Sequence, residues 1–165
     1  MSMFFNEIEA ARIAQTMETN GIEFYSKSAA RTKDAAVRRV FEQLAKDEEE
    51  HLDAFTKLER ALQAERQTPA DPADDEAELG AYIQRLLQTQ VFSGLGDATR
   101  LGEQAKDDYE ALATAMRAER DAIVFYQEML TFVDSKTAQE AFTWIVDEER
   151  KHLRILGDRA EAVGH

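Results

Sequence analysis

Cysteine is missing altogether, and with it disulfides, thiol catalysis, zinc ribbons and iron held by thiolates. Proline occurs 2 times and glycine 7 times in 165 residues, too sparsely for a turn-rich sandwich or barrel. No apolar stretch approaches the roughly 18 residues of a membrane span. Residues 1–8 lack the basic-then-apolar pattern of a secretory signal, so a cytoplasmic protein is expected. Positive charge is scarce too: 20 Lys and Arg face 33 Asp and Glu, a formal net charge of -13. Such a surface repels phosphate backbones and anionic lipid, so neither nucleic acid nor a membrane is expected as a partner. The chain does have 44% hydrophobic residues over the length of one domain, enough for a single packed core.

The hydrophobic residues recur at helical spacing nearly throughout. Both prolines, Pro69 and Pro72, fall in the Pro-Ala-Asp stretch 67–75, which no helix runs through smoothly. A second break is Ser-Gly-Leu-Gly at 93–96, and between them Leu79, Tyr82 and Leu86 predict a shorter helix over 76–92. Each flank reads as a long helix, a polar turn and a second long helix. The turns are expected near 32–34 and 134–136, with Asp34 and Ser135 as N-caps.

The flanks are copies of one another. A gapless shift of 101 residues superposes 9–52 on 110–153, with identity at Glu9, Ala10, Ala14, Glu18, Ile22, Phe24, Tyr25, Phe41, Glu48, His51 and Leu52. Most of these matches share one face of each helix. The expected fold is therefore all-α, a four-helix bundle of two duplicated hairpins in one domain. Its boundaries are hairpin 6–64, a long crossover 65–106 carrying the extra short helix, and hairpin 107–162.

Carboxylates and imidazoles interrupt the apolar stripe. Glu48 and His51 stand among Phe41, Leu44, Leu52, Phe55 and Leu58; Glu149 and His152 stand among Phe142, Ile145, Leu153 and Leu156. Ala14, Gly21 and Tyr25 flank Glu18, as Ala115, Ala122 and Tyr126 flank Glu119. The midpoints of Glu18–Glu48 and Glu119–Glu149 both fall in the turns, so all four Glu lie at one level, about 22 Å from the turns at 1.5 Å per residue. Four ionised carboxylates in an apolar interior repel one another and lose solvation, so a cationic partner is required. Glu-x-x-His lets one helix supply an oxygen and a nitrogen ligand on the same face. Mixed carboxylate and imidazole ligands suit two iron or manganese ions, with zinc as an alternative occupant. His165, at the terminus, is not expected to be a ligand. The alternative without metal is a bundle held by buried carboxylate–His pairs.

These residues resemble the ferritin-like di-iron carboxylate superfamily, and within it the rubrerythrin group. The resemblance rests on Met-Glu-x-x-Gly-Ile-Glu-Phe-Tyr at 17–25, Asp-Glu-Glu-Glu-His-Leu at 47–52 and the duplicated Glu149-x-x-His152. It implies two irons bound by Glu18, Glu48, His51, Glu119, Glu149 and His152, with Glu48 and Glu149 bridging. It further implies that Tyr25 and Tyr126 hydrogen-bond ligand carboxylates and tune the reaction; packing in the core is the other reading of these two. Asp47 and Glu148 would accept the outer N–H of the His on the opposite hairpin, or else be surface charge. Rubrerythrins carry a further helix-three carboxylate one turn from the first. Here Met116 and Ala122 occupy the positions three either side of Glu119.

The implied activity is an oxidoreductase that reduces peroxide or O2, or oxidises Fe(II), protecting against oxidative stress. With no cysteine for a rubredoxin module, a separate electron donor is required. A homodimer is a further possibility that the resemblance raises. The alternatives are an iron or manganese binding protein for sequestration or delivery, and a bundle in which metal only holds the helices together.

Overall fold

Two helical hairpins build the structure, a computed structural model that describes residues 7–65, 100 and 103–164. The first pairs α1 (Glu7–Arg31) with α2 (Ala35–Glu65); the second pairs α3 (Asp108–Phe132) with α4 (Lys136–Val163). The helix expected at 76–92 lies outside the described residues. Both expected caps are present. The Asp34 carboxylate accepts from the backbone N–H groups of Ala36 and Val37 at 2.8 and 2.9 Å, satisfying two otherwise orphaned donors. The Ser135 hydroxyl accepts from Ala138 N–H at 3.1 Å. Glu7, in the first turn of α1, accepts from Ser135 N–H at 2.7 Å and so fastens the start of one hairpin to the turn of the other.

The buried stripe of α2 is Val37, Phe41, Leu44, Glu48, His51, Phe55, Leu58 and Leu62. On α4 it includes Ala138, Phe142, Ile145, Glu149, His152, Leu156 and Ala160. Leu52 and Leu153 are only half-buried. Each follows a stripe histidine by one residue, a rotation of about 100° that carries it to the edge of the stripe. Across the hairpins α2 and α4 pack closely, whereas α1 and α3 approach at few positions.

The core is split in two. One apolar cluster gathers Phe55, Leu58, Phe125, Tyr126, Met129, Phe142 and Ile145. The other gathers Phe24, Tyr25, Phe41, Leu44, Leu112 and Leu156. The shift of 101 residues exchanges them: Phe24, Tyr25, Phe41 and Leu44 of the second map onto Phe125, Tyr126, Phe142 and Ile145 of the first. The duplicated sequence is thus expressed as a pseudo-two-fold, with the buried Glu and His as the layer between the halves.

Phe142 is fully buried, with its ring 5.5 Å from that of Phe55 and 6.0 Å from that of Tyr126. Phe142→Ala is expected to cost about 3–5 kcal/mol of folding stability. Urea unfolding should show this as a lower midpoint at unchanged slope; an unmoved midpoint would mean that this half of the core does not depend on these contacts. Among the described residues, no helix is long and apolar enough to cross a membrane.

Candidate metal centre

Each hairpin brings one Glu from its first helix, and one Glu and one His from its second, to the same buried level. Glu18, Glu48, His51, Glu119, Glu149 and His152 are all between 2% and 4% exposed. The helical stripe explains why: positions 48 and 51, like 149 and 152, continue the core-facing rows of α2 and α4.

Both imidazoles aim Nδ1 at the carboxylates. His51 Nδ1 lies 3.1 Å from Glu48, 3.4 Å from Glu18 and 3.5 Å from Glu149. His152 Nδ1 lies 3.1 Å from Glu149, 3.5 Å from Glu119 and 3.3 Å from Glu48. The pattern repeats under the pseudo-two-fold, and Glu48 and Glu149 are the two carboxylates reached by both rings. The rings themselves stack, with centroids 5.1 Å apart. One ligand atom from each of Glu48, His51, Glu149 and His152 can be chosen so that all lie within 4.8 Å of one another.

The tyrosines cross between hairpins. The Tyr25 hydroxyl donates to Glu119, and the Tyr126 hydroxyl donates to Glu18. The two expected outer carboxylates diverge. Asp47 lies 3.5 Å from His152 Nε2 and is held by Gln43, which donates at 2.7 Å. Glu148 instead meets Lys151 of its own helix at 2.5 Å. On that side the ring of Trp144 stands edge-on to His51, 5.3 Å between centroids.

Electrostatics show what the cluster lacks. Burial, then the charge of Glu48, raises Glu18 well above the usual carboxylate range. Burial and the charge of Glu149 push Glu119 up to about 8. Burial would lower His51, but hydrogen bonds to Glu149, Glu18 and Glu48 outweigh it and push the imidazole up to about 12. His152 is raised likewise, burial being outweighed by Glu119, Glu149 and Glu48. Burial would raise Glu149 too, yet the neighbouring imidazoles of His152 and His51 hold it below its usual value. Burial and the facing carboxylate, Glu119 for Tyr25 and Glu18 for Tyr126, raise both phenols, which stay protonated donors.

The residues fit a metal. Glu149 Oε2 and His152 Nδ1 are buried without a hydrogen-bond partner, although they stand 3.1 Å apart. Leaving such atoms unsatisfied costs about 1–3 kcal/mol each, and a shared cation would satisfy both. Oxygen donors with two imidazole nitrogens suit iron or manganese.

Between α1 and α3 lies a cavity of about 30 Å³ against the carboxylates of Glu18, Glu48, Glu119 and Glu149. Gly21 and its duplicate Ala122 line it, as do Met17 and its duplicate Ala118. A Cβ on Gly21 would sit 3.3 Å from the Glu48 side chain, so glycine lets the carboxylate lie against the helix. Sequence reasoning placed Gly21 and Ala122 beside the Glu but missed the cavity, because the gap depends on how far α1 and α3 stand apart. It also missed Trp144. The available signal was the single tryptophan standing where the other copy has Gln43.

A family model described as Rubrerythrin matches residues 3–59 and 101–164, more than half of the chain. An uncharacterized protein of Archaeoglobus fulgidus is 39% identical over 54 residues, which are 33% of this chain and 84% of that protein. No solved structure matches.

Proposed function

The chain belongs to the rubrerythrin family, and on that premise we propose that it is an oxidoreductase that reduces hydrogen peroxide or dioxygen at two irons held in its buried layer. The observation that carries this reading is the convergence of both Nδ1 atoms and four carboxylates on one buried, pseudo-symmetric point beside a small cavity. Glu18 and His51 would serve one ion, Glu119 and His152 the other, and Glu48 and Glu149 both. Bound there, a pair of irons supplies a two-electron change shared between neighbouring ions.

The remaining chemistry belongs to the chain. Tyr25 and Tyr126 hold Glu119 and Glu18 in orientation and keep a phenolic proton beside the site. Asp47, its carboxylate 3.5 Å from His152 Nε2, would favour the tautomer protonated at Nε2 and so leave Nδ1 free to bind. Phe24, Met17 and Ala118 line the approach and exclude bulk water. A cavity of about 30 Å³ has room for an oxidant the size of peroxide or dioxygen.

A non-catalytic role, binding iron or manganese for sequestration or delivery, draws support from the net charge of -13, which attracts cations. One experiment separates the readings. Anaerobic loading with Fe(II) should bind about two irons per chain, as carboxylate bundles of this class do. A peroxide pulse should then produce near-ultraviolet ferric absorption faster than free Fe(II) does, and again after re-reduction. Iron that binds but reacts no faster than free Fe(II) gives the lead to the binding reading.

A further inference from the structure

The pseudo-two-fold is broken behind the two histidines of the buried layer. Behind His152 stand Gln43 and Asp47, polar and hydrogen-bonded to each other. Behind His51, at the position duplicating Gln43, stands Trp144. Trp144 is 39% exposed, while His51 is 2% exposed. Packing does not call for an indole there, since its counterpart is an exposed glutamine. The indole therefore extends a run of π-systems: Trp144 edge-on to His51 at 5.3 Å, His51 stacked on His152 at 5.1 Å. One end of this run is at the surface and the other lies among the carboxylates.

A cavity of about 30 Å³ admits a small oxidant but no aromatic reductant, so electrons from larger donors must enter from a distance. Indole is among the side chains most readily oxidised by one electron, and it can lose that electron without first losing a proton. Glu49, Glu50 and Asp53, with Lys46, line the shallow groove beside Trp144. Three carboxylates against one ammonium favour a neutral or cationic visitor over an anionic one.

We propose that Trp144 is the port through which neutral or cationic aromatic amines deliver electrons, one at a time, by way of His51 to the metal centre. The proposal rests on the peroxide-reducing reading above, but its test does not. Reduction of one hydrogen peroxide to two waters takes two electrons and two protons. Two amine molecules supply the electrons, each leaving as its one-electron-oxidised radical with one more positive charge, and solvent supplies the protons. No bond of Trp144 forms or breaks, and the indole is restored after each transfer.

The test begins with flash photolysis, using a photo-oxidised cationic ruthenium tris-bipyridine to take an electron from Trp144, the one tryptophan of the chain. In protein loaded with Fe(II) the centre refills the indole, so the visible absorption of the indole radical should decay severalfold faster than in protein loaded with zinc. Equal lifetimes overturn the port, whatever the protein does with peroxide. A shortened lifetime without iron-dependent consumption of peroxide keeps the port and removes the peroxide reading.

Trp144→Phe and Trp144→Gln provide the second measurement, the latter placing in one copy what the other already carries. Both should leave iron content and single-turnover consumption of peroxide by the reduced centre unchanged. Both should slow peroxide-dependent oxidation of tetramethyl-p-phenylenediamine about tenfold. Amine oxidation at the wild-type rate in these variants would overturn the proposal.

Discussion

Saturating the buried layer with Zn(II) or Fe(II) is expected to raise the melting temperature by on the order of 10 °C. Ligand at a thousandfold excess over Kd stabilises the folded state by about 4 kcal/mol, and a chain of this length shifts by about 2–4 °C per kcal/mol. The physical source is the cluster itself, with Glu149 Oε2 and His152 Nδ1 buried and unpartnered and Glu18 and Glu119 resisting ionisation. His152→Ala and Glu48→Ala should each lower bound metal below that of the parent and lose most of the thermal gain. Both variants should still fold, because Phe41, Leu44, Phe142 and Ile145 pack the layers above and below. Elemental analysis showing full occupancy in both variants would sink the ligand assignment.

Without metal, stability is expected to fall as the pH rises through neutrality. Glu119 has a folded pKa of about 8 against an ordinary value of 4.5, so its contribution is present below 4.5 and is lost as pH climbs towards 8. Glu18 is raised too and acts in the same direction. His51, at about 12 against 6.5, gives a contribution that is full below 6.5 and declines from there towards 12. Glu149 is lowered, so its contribution is lost only on acidification and opposes the others at low pH. Metal binding reverses the trend, since a cation must displace the protons held by His51, His152, Glu18 and Glu119. The thermal gain on loading should therefore widen between pH 6 and 8, a window set by the Glu119 and His51 shifts. Melting curves with chelator and with zinc across that range measure both slopes. A metal-free midpoint that rises with pH would show that the cluster does not hold these protons.

Much of this was legible in the sequence, for identifiable reasons. A stripe with positions 41, 44, 48, 51, 55 and 58 has one geometric solution on a long helix, and the shift of 101 residues says that the solution is used twice. Asp34 and Ser135 could be read as caps because the residues that follow begin apolar periods. The level of the four Glu followed from counting to the turns. What escaped depended on distances between helices that no linear pattern encodes. The opening between α1 and α3 is such a distance, and so is the stacking of His51 on His152. The fate of Glu148 was settled by a neighbour one turn away, Lys151, which competes for its carboxylate. Asp47 has Glu50 where the other copy has Lys151, and Gln43 engages only its Oδ1, which leaves Oδ2 beside the histidine.

Duplicated genes usually leave a spare, one copy keeping the task while the other drifts. The crossed tyrosines remove that freedom here, because Tyr25 braces the Glu of the second hairpin and Tyr126 the Glu of the first. Damage to either copy is felt in the other, and neither hairpin contains an intact half-site to fall back on. Selection must then judge the pair as a unit at every position that crosses the midline. Divergence is left to positions such as 43 and 144, where each copy faces its own patch of solvent.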